Sequence, residues 1–536
     1  MDQRTYDFIV IGAGSAGSVI ANRLSDGGAH HVLVLEAGRD HHWLSGIPIG
    51  YGKLIDNPAA NWCYESEPDP RMQGRSIPVP RGRLLGGSSA INGMVFVRGQ
   101  AADYDTWAQI GNRGWSFEDL LPIFRDMEHY HGSGDESLRG RAGPLQVTEY
   151  GEDNPLYDAL FSAGEQIGLP RNPDYNGADQ EGLARTQTTI LNGRRMGTAA
   201  CYLAPARRRP NLDVHSEAFV QRLVVENGRA TGVEYQCDGR ILTANARREV
   251  ILSGGSVNSP QVLELSGIGK PEILAEQGLP VVHALPGVGE HLRDHLCPRL
   301  VWRIRPRGVA YNDRARGLKL GWQIARWALT RKGFLAMPAG PIMGFFRTRE
   351  GLIGPDVQLA VVPFAIDSIR KREMAREPGI TVAFYQLRPE STGSIHVKSP
   401  DPRSAPAIRF NFLSTDLDRQ TAVAGLKFVR RLMDAPALET FRGEELKPGA
   451  TITENTEILE WIRGNAETAY HPIGTCRMGH DASAVVDERL RVHGLVGLRI
   501  ADASIMPTLV SGNTNGPCIM IGEKAARMIL EDTAAG

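Results

Sequence analysis

An α/β fold in two parts is what this sequence predicts, and three observations carry the prediction. The first is a hydrophobic strand, DFIVI at residues 7–11, running into Gly12-Ala13-Gly14-Ser15-Ala16-Gly17, then a short helical stretch, a second strand VLVLE and the acid Glu36. The second is a series of short alternating strands from Phe219 to Leu252, separated by Asn227-Gly228 and Asp238-Gly239. The third is the region 300–465, where strands such as Gly393–Lys398 alternate with amphipathic helices such as the one around Asp416–Met433. A chain of 536 residues also exceeds the roughly 250–300 residues at which one hydrophobic core stops growing, so at least two cores are expected.

The N-terminal pattern is a β-turn-α-β unit whose glycines let backbone N–H groups approach a pyrophosphate at the start of a helix. Glu36 falls about 20 residues on, where an acceptor for ribose hydroxyls belongs. Strand, glycines, helix, second strand and acid are all in register, which predicts a dinucleotide site, with Gly12, Gly14, Ser15, Ala16, Gly17, Glu36 and Ala37 as its first residues. Arg39 could meet a 2′-phosphate, but Glu36 would repel one, so the adenosine is expected to be unphosphorylated. The motif alone does not separate FAD from NAD.

The stretch from about Asn57 to Arg98 is rich in Gly, Pro, Arg and Ser and contains GRLLGGSSAINGM at residues 82–94. Apolar residues interleave the glycines, which a solvated linker would lack, so this backbone is expected to press against a flat ligand. Between Phe219 and Leu252 the Asn-Gly and Asp-Gly dipeptides favour type I′ hairpin turns and predict a β-meander. It leads into a buried strand ending in Ser253-Gly254-Gly255-Ser256, so distant parts of the chain reach one crevice and the nucleotide domain is discontinuous. Residues 300–465 are expected to form a second, substrate-covering α+β domain with an antiparallel sheet and flanking helices. Within it, residues 313–334 hold six basic residues and one acid, and Leu318, Trp322, Ala325 and Leu329 fall on one helical face. This face is expected to pack on the domain with the basic side in water; contact with a membrane surface is the alternative.

With 60 basic and 61 acidic residues, no global field would gather nucleic acid. The six cysteines are scattered without a CxxC pair, which suits a reducing compartment and indicates no zinc knuckle. The first strand begins within a few residues of Met1, and no apolar run approaches the ~18 residues of a membrane span. A cytoplasmic protein, at most peripheral to the inner membrane, is therefore expected. His291 and His295 stand four apart, but Leu292 occupies the position where a zinc-protease helix carries glutamate, so a metal reading is set aside.

Near the C-terminus lie YHPIGTCRMG at 470–479, RIADASIMP at 499–507 and SGNTNGP at 511–517. A histidine held in a Pro/Gly turn is suited to proton transfer near neutrality, and His471 keeps company with Asp502, Asn513 and Asn515.

Four motifs in this order, GAGSAG with Glu36, residues 82–93, GSVNSPQVLELSGIG at 255–269, and the His471 and Asn513 segments, are similar to those of the glucose-methanol-choline (GMC) family of FAD-dependent oxidoreductases over essentially the whole length. The resemblance implies a Rossmann-like FAD-binding domain from residues 1–155, 200–300 and 468–536, and a substrate-binding domain from 156–199 and 301–467. It implies that Gly12, Gly14, Gly17 and Glu36 hold the ADP half of FAD. Gly86, Gly87, Ser89, Asn92, Gly93, Met94 and Val95 would lie along the ribityl and flavin rings, and Val220 beside adenine. Gly254, Asp502, Ala503, Thr514 and Asn515 would meet the pyrophosphate and flavin. His471 matches the family's catalytic histidine and Asn513 its partner, with Asn515 the other choice. Ile91 stands where some members carry a flavin-linking histidine, so FAD is expected to be non-covalent. The implied reaction is oxidation of a primary alcohol to an aldehyde, with electrons passing to a quinone, a cytochrome or oxygen. A hydroxynitrile-lyase-like enzyme and a non-catalytic FAD-binding protein are the alternatives on this scaffold.

Overall fold

The structure, a computed structural model, describes residues 4–368 and 373–535. Among these, a seven-stranded sheet has the strand Arg4–Ile11 near its centre, in the order Leu212–His215, Val32–Leu35, Arg4–Ile11, Arg240–Leu252, Arg229–Cys237, Phe219–Glu226. The strands Leu212–His215, Val32–Leu35 and Arg4–Ile11 run parallel, and Arg4–Ile11 is also parallel to Arg240–Leu252. Val32, Leu33, Val34 and Leu35 are all buried, as expected of a parallel strand covered on both faces.

The long strand Arg240–Leu252 serves two neighbours on one side. Its first half pairs antiparallel with Gly232–Cys237, and its last three residues pair parallel with Leu498–Ile500. The meander is formed as the sequence predicts. Asn227 and Gly228 have φ of 50° and 75°, Asp238 and Gly239 have 50° and 74°, and both pairs are the left-handed conformers of type I′ turns. The helix Ser15–Leu24 follows the glycine turn and packs against the C-terminal helix Asn515–Ala535, where Arg23 and Glu523 form a two-pronged ion pair at 2.7 and 2.8 Å.

The second sheet is antiparallel throughout, in the order Arg442–Lys447, Arg299–Ile304, Gly379–Gln386, Val357–Val362, Ile342–Phe346, Gly182–Arg185. The helix Asp416–Asp434 lies across it. Thr415 caps this helix by accepting from the Asp418 N–H at 3.3 Å, two aspartates sit in its first turn, and Leu426, Val429, Leu432 and Met433 face the sheet side. Two main hydrophobic cores result, one around each sheet, and Tyr64, Met72, Ile77 and Val79 pack into the second. Gly393–Lys398 contributes a short strand, Ser394–His396, paired with Ala407–Arg409 outside the six-stranded sheet.

One expectation is overturned. The helix within 313–334 spans Gly317–Thr330, but its packed side is Leu320, Gln323 and Trp327, while Leu318, Trp322 and Leu329 are 96%, 67% and 83% exposed and Ala325 is exposed as well. Polar atoms decide which face goes in. The Trp327 indole N–H donates to Gly193 O at 2.9 Å, and the Gln323 amide oxygen accepts from the Phe334 N–H at 3.3 Å, so the inward face is satisfied despite being less apolar. No helix among the described residues is long and apolar enough to cross a membrane.

Candidate active site

A cavity of about 650 Å³ runs between the two sheets. The parallel sheet supplies the turn after its first strand. Gly12, with φ of 92°, approaches Ser253 so closely that a Cβ would stand 2.5 Å from the Ser253 carbonyl oxygen. Gly87, with φ of 50°, lies over Gly14, where a Cβ would meet the Gly14 Cα at 2.7 Å. Two glycine-rich segments distant in sequence thus form a narrow slot. Gly12, Gly14, Ser15, Ala16, Glu36, Ala37, Gly87, Asn92, Gly93, Met94, Val95, Val220, Gly254, Asp502, Ala503, Asn513, Thr514 and Asn515 all border the cavity.

Gly17, Gly86 and Ser89 do not. Gly17 is pressed against the Gly12 carbonyl and lets the helix sit close to the strand; Gly86 donates its N–H to Ala13 O at 2.8 Å. The Ser89 hydroxyl turns inward to Gly86 O and Thr198 Oγ1, at 2.7 and 2.9 Å, and it is Ser88 that borders the cavity. These three shape the cradle from behind.

At one end, Glu36 accepts from the N–H groups of Ala13 and Gly38 at 3.0 and 2.8 Å, while burial pushes its carboxyl up to about 7. Val220 and Ala218 stand beside it, since the Ala218 N–H donates to Glu36 O. At mid-length, Asp502 Oδ2 accepts from the Gly255 N–H at 2.8 Å and from Ser259 Oγ at 2.6 Å, and Ser15 Oγ bonds Asn515 Oδ1 at 2.7 Å. The slot, the acid at the end of the second strand and the hydroxyls between them make a donor set that suits an extended dinucleotide such as FAD.

At the far end His471 is 8% exposed and held from several sides. Its backbone N–H donates to Asp294 Oδ1 at 2.8 Å, and the same oxygen accepts from the His295 backbone N–H at 2.7 Å. Asp294 Oδ2 takes the Thr468 hydroxyl, and burial raises this carboxyl to about 6. Pro472 O accepts from Ser256 Oγ at 2.6 Å, which ties the turn to the helix Gly255–Leu265. The loop bearing Asn513 is fixed by Ser511, whose N–H and hydroxyl donate to Asp103 at 2.7 and 2.8 Å.

The hydrogen bonds decide the protonation of the ring. His295 Nε2 lies 2.9 Å from Leu387 O, which can only accept, so Nε2 carries hydrogen. Burial drives His295 down to about 3, so the ring is neutral and its Nδ1 accepts. His471 Nδ1, 2.9 Å away, must therefore donate, leaving the lone pair on Nε2, where Asn513 Nδ2 donates at 3.0 Å. Asn513 Oδ1 in turn accepts from Gln358 Nε2 at 3.1 Å. Burial, His295 and the Arg81 guanidinium hold His471 well below the usual histidine range.

Motif reading points to His471 and Asn513, which the structure brings 3.0 Å apart, but not to His295, Gln358 and Asp294, nor to Tyr385, whose hydroxyl donates to Asn513 Oδ1 at 3.5 Å. The signal for two of these lies in HLRDH at 291–295, where the spacing of the histidines directs attention to a metal instead. Residues 291–295 are not helical; His291 Nε2 reaches Ser483 Oγ at 3.2 Å, whereas His295 reaches His471. Gln358 and Tyr385 lie on strands of the other sheet and carry no local pattern.

The GMC oxidoreductase family is matched over residues 6–297 and again over 389–522. This chain belongs to the GMC oxidoreductase family. An oxygen-dependent choline dehydrogenase of Rhizobium johnstonii is 42% identical over 98% of this chain and 95% of its own length. A protein of the same name from Vibrio vulnificus is 39% identical over 98% of this chain and 95% of its own. Among solved GMC-like structures, a pyridoxine 4-oxidase from Mesorbium loti superposes with a TM-score of 0.88 at 29% identity, covering 97% of this chain and 98% of that one. A formate oxidase of Aspergillus oryzae reaches 0.93 at 26% identity over 100% of both chains.

Proposed function

We propose that this GMC oxidoreductase holds FAD non-covalently and oxidises a primary alcohol to an aldehyde, with His471 as general base and Asn513 as hydrogen-bond donor. One observation carries the reading: a neutral imidazole lone pair and an amide N–H converge, 3.0 Å apart, at the cavity wall. Glu36, the slot between Gly14 and Gly87, and Asp502 would hold the nucleotide, with Ile91 offering no nucleophile for a covalent link. Bound FAD supplies the two-electron acceptor that takes the α-hydrogen as hydride.

An alcohol hydroxyl entering between the two side chains replaces their mutual bond. His471 Nε2 takes the hydroxyl proton as the carbonyl forms, and Asn513 Nδ2 donates to the developing alkoxide. His295 is a positioning residue: it fixes the tautomer of His471 by accepting from Nδ1. Gln358 does the same for Asn513 by holding its amide oxygen. The exposed apolar face of Gly317–Thr330, with its cationic flanks, supports contact with an anionic membrane, where a quinone acceptor would be met; retention on anionic vesicles at low salt, lost at high salt, tests it. The function itself is tested with His471→Ala, which is expected to purify yellow yet lose about 10²–10⁴-fold in anaerobic flavin reduction by alcohols; an undiminished rate removes the histidine from the mechanism.

A further inference from the structure

The supports of His471 and Asn513 trace back to one short segment of chain. His295, which sets the tautomer of His471, is fixed on Leu387 O at 2.9 Å. The next residue, Arg388, sends its guanidinium to the loop of Asn513, with Nη1 2.8 Å from Ser511 Oγ. Leu387 is itself anchored, because its N–H donates to Asp356 O at 2.8 Å directly after the strand Gly379–Gln386. Pro389 follows, and a residue before proline is biased to extended backbone. Residues 387 and 388 thus link the two arms, one holding the imidazole and the other the amide loop.

The loop is held through a helix terminus. Asp103 stands in the first turn of the helix Ala101–Gln109, where Oδ2 accepts from the Gln100 N–H at 2.8 Å, as a capping carboxylate does. That bond uses only part of its acceptor capacity, and the rest reaches far along the chain. Oδ2 also accepts from the Ser511 N–H at 2.7 Å, and Oδ1 accepts from the Ser511 hydroxyl at 2.8 Å. A hydroxyl has one hydrogen to give; with it on Asp103, Ser511 Oγ turns a lone pair to Arg388. Arg388 Nη1 also lies 3.0 Å from Gln100 Oε1 and 3.5 Å from Asp103 Oδ1, and Nη2 donates to Pro355 O at 3.1 Å. Ser511 O accepts from Gln180 Nε2 at 2.9 Å, so every polar group of Ser511 is engaged. Burial raises the Asp103 carboxyl, and the charge of Arg388 opposes this most.

Gly512 passes the restraint on to Asn513. Its φ is 144°, and a Cβ there would stand 2.4 Å from Val97 Cγ1. Two residues of chain span at most about 7 Å, so a fixed Ser511 restricts where Asn513 can place its amide. Neither Arg388 nor Asp103 borders the cavity.

We propose that Arg388 is a positioning residue: with Asp103 it sets the 3.0 Å approach of Asn513 Nδ2 to His471 Nε2 by tying the Asn513 loop to the segment that fixes His295. The inference rests on the alcohol-oxidising function proposed above and adds a charge pair, remote from the substrate, on which the rate depends.

The test is a double-mutant cycle on the flavin-loaded protein, Arg388→Met with Asn513→Ala, read as the limiting rate of anaerobic flavin reduction by ethanol, n-butanol, benzyl alcohol and choline. Flavin content, visible spectrum and thermal midpoint are recorded for each variant. Arg388→Met is expected to keep its flavin and lose about 10- to 100-fold in limiting rate, the scale of a misplacement near 1 Å, while the dissociation constant of the alcohol changes less than about two-fold. In the Asn513→Ala background the same change is expected to cost less than about two-fold, because the amide to be positioned is gone. Ser511→Ala deletes the bridging hydroxyl but keeps the backbone N–H on Asp103; it is expected to follow the same pattern and carries the cycle if Arg388→Met does not fold. A parent-like rate in the single variants, equal losses in both backgrounds, or a loss confined to alcohol binding overturns the inference and leaves alcohol oxidation intact. A parent flavin that none of these alcohols reduces overturns the alcohol-oxidising function and, with it, this role for Arg388.

Discussion

His295 Nδ1 sits 2.9 Å from His471 Nδ1, with the two rings at 87° to each other. The imidazole proposed as general base is thereby oriented by a second imidazole that is itself anchored on a backbone carbonyl. His295→Phe removes the acceptor and frees His471 to place hydrogen on the wrong nitrogen. Flavin content is expected to stay unchanged while kcat falls about 10²-fold or more, on the scale seen when a catalytic histidine loses its tautomer partner. His295→Gln, which keeps an acceptor and a donor, is expected to recover part of the loss; equal losses in both variants would show a merely steric role.

The same burial sets the pH dependence. As the proposed general base His471 works only unprotonated, and burial above all holds it well below the ordinary histidine value of 6.5. The acid limb of kcat/KM is therefore expected below 6.5, with no loss of activity between neutrality and that limb. A limb centred above 6.5 would contradict a desolvated base.

The slot between Gly14 and Gly87 gives a structural test of cofactor binding. In Gly87→Val the new Cβ would stand 2.7 Å from the Gly14 Cα, a backbone atom that cannot swing away, and the left-handed φ would be strained as well. The protein is expected to fold with a native circular dichroism spectrum but purify with little flavin, read from the ratio of visible to ultraviolet absorbance.

Away from the site, His396 lies between two acids, with Nδ1 2.7 Å from Glu264 and Nε2 3.5 Å from Glu290, and these raise it to about 9. Lys270 approaches Glu290 at 3.6 Å. The folded state thus binds the proton more tightly than the unfolded chain, whose histidine titrates near 6.5. Its stabilisation is complete below 6.5 and is lost as pH rises through 9. His396→Leu leaves the buried Glu264 without its cation and is expected to cost about 3–5 kcal/mol in denaturant unfolding at pH 6, with a smaller difference from the parent protein at pH 9.

Much of this was legible in the chain because it is written locally. Residues 7–36 and the Asn-Gly and Asp-Gly turns encode strands, turns and a helix through nearest neighbours, and they fold as written. His471 stands out because Pro and Gly around it mark a rigid turn, and Asn513 through the family resemblance, with Asn515 the other choice. His295 and Gln358 do not, because their importance comes from strands and loops brought together over more than a hundred residues of chain. The helix Gly317–Thr330 shows the opposite failure. Its apolar periodicity offers two candidate inward faces, and the partners of Trp327 and Gln323, located at Gly193 and Phe334, select the one that periodicity ranks lower.

The forked pairing of Arg240–Leu252 has a bearing on how the polypeptide comes to life. The strand Arg4–Ile11 is completed by residues 240–252, the end of that partner is in turn flanked by 498–500, and the helix behind it is covered by 515–535. Ser15 and Asn515, 500 positions apart, share one hydrogen bond at the nucleotide slot. Such remote contacts close slowly, so the cradle stays open until residues 498–535 have joined it, and a chain cut ahead of residue 498 would have no finished place for its cofactor.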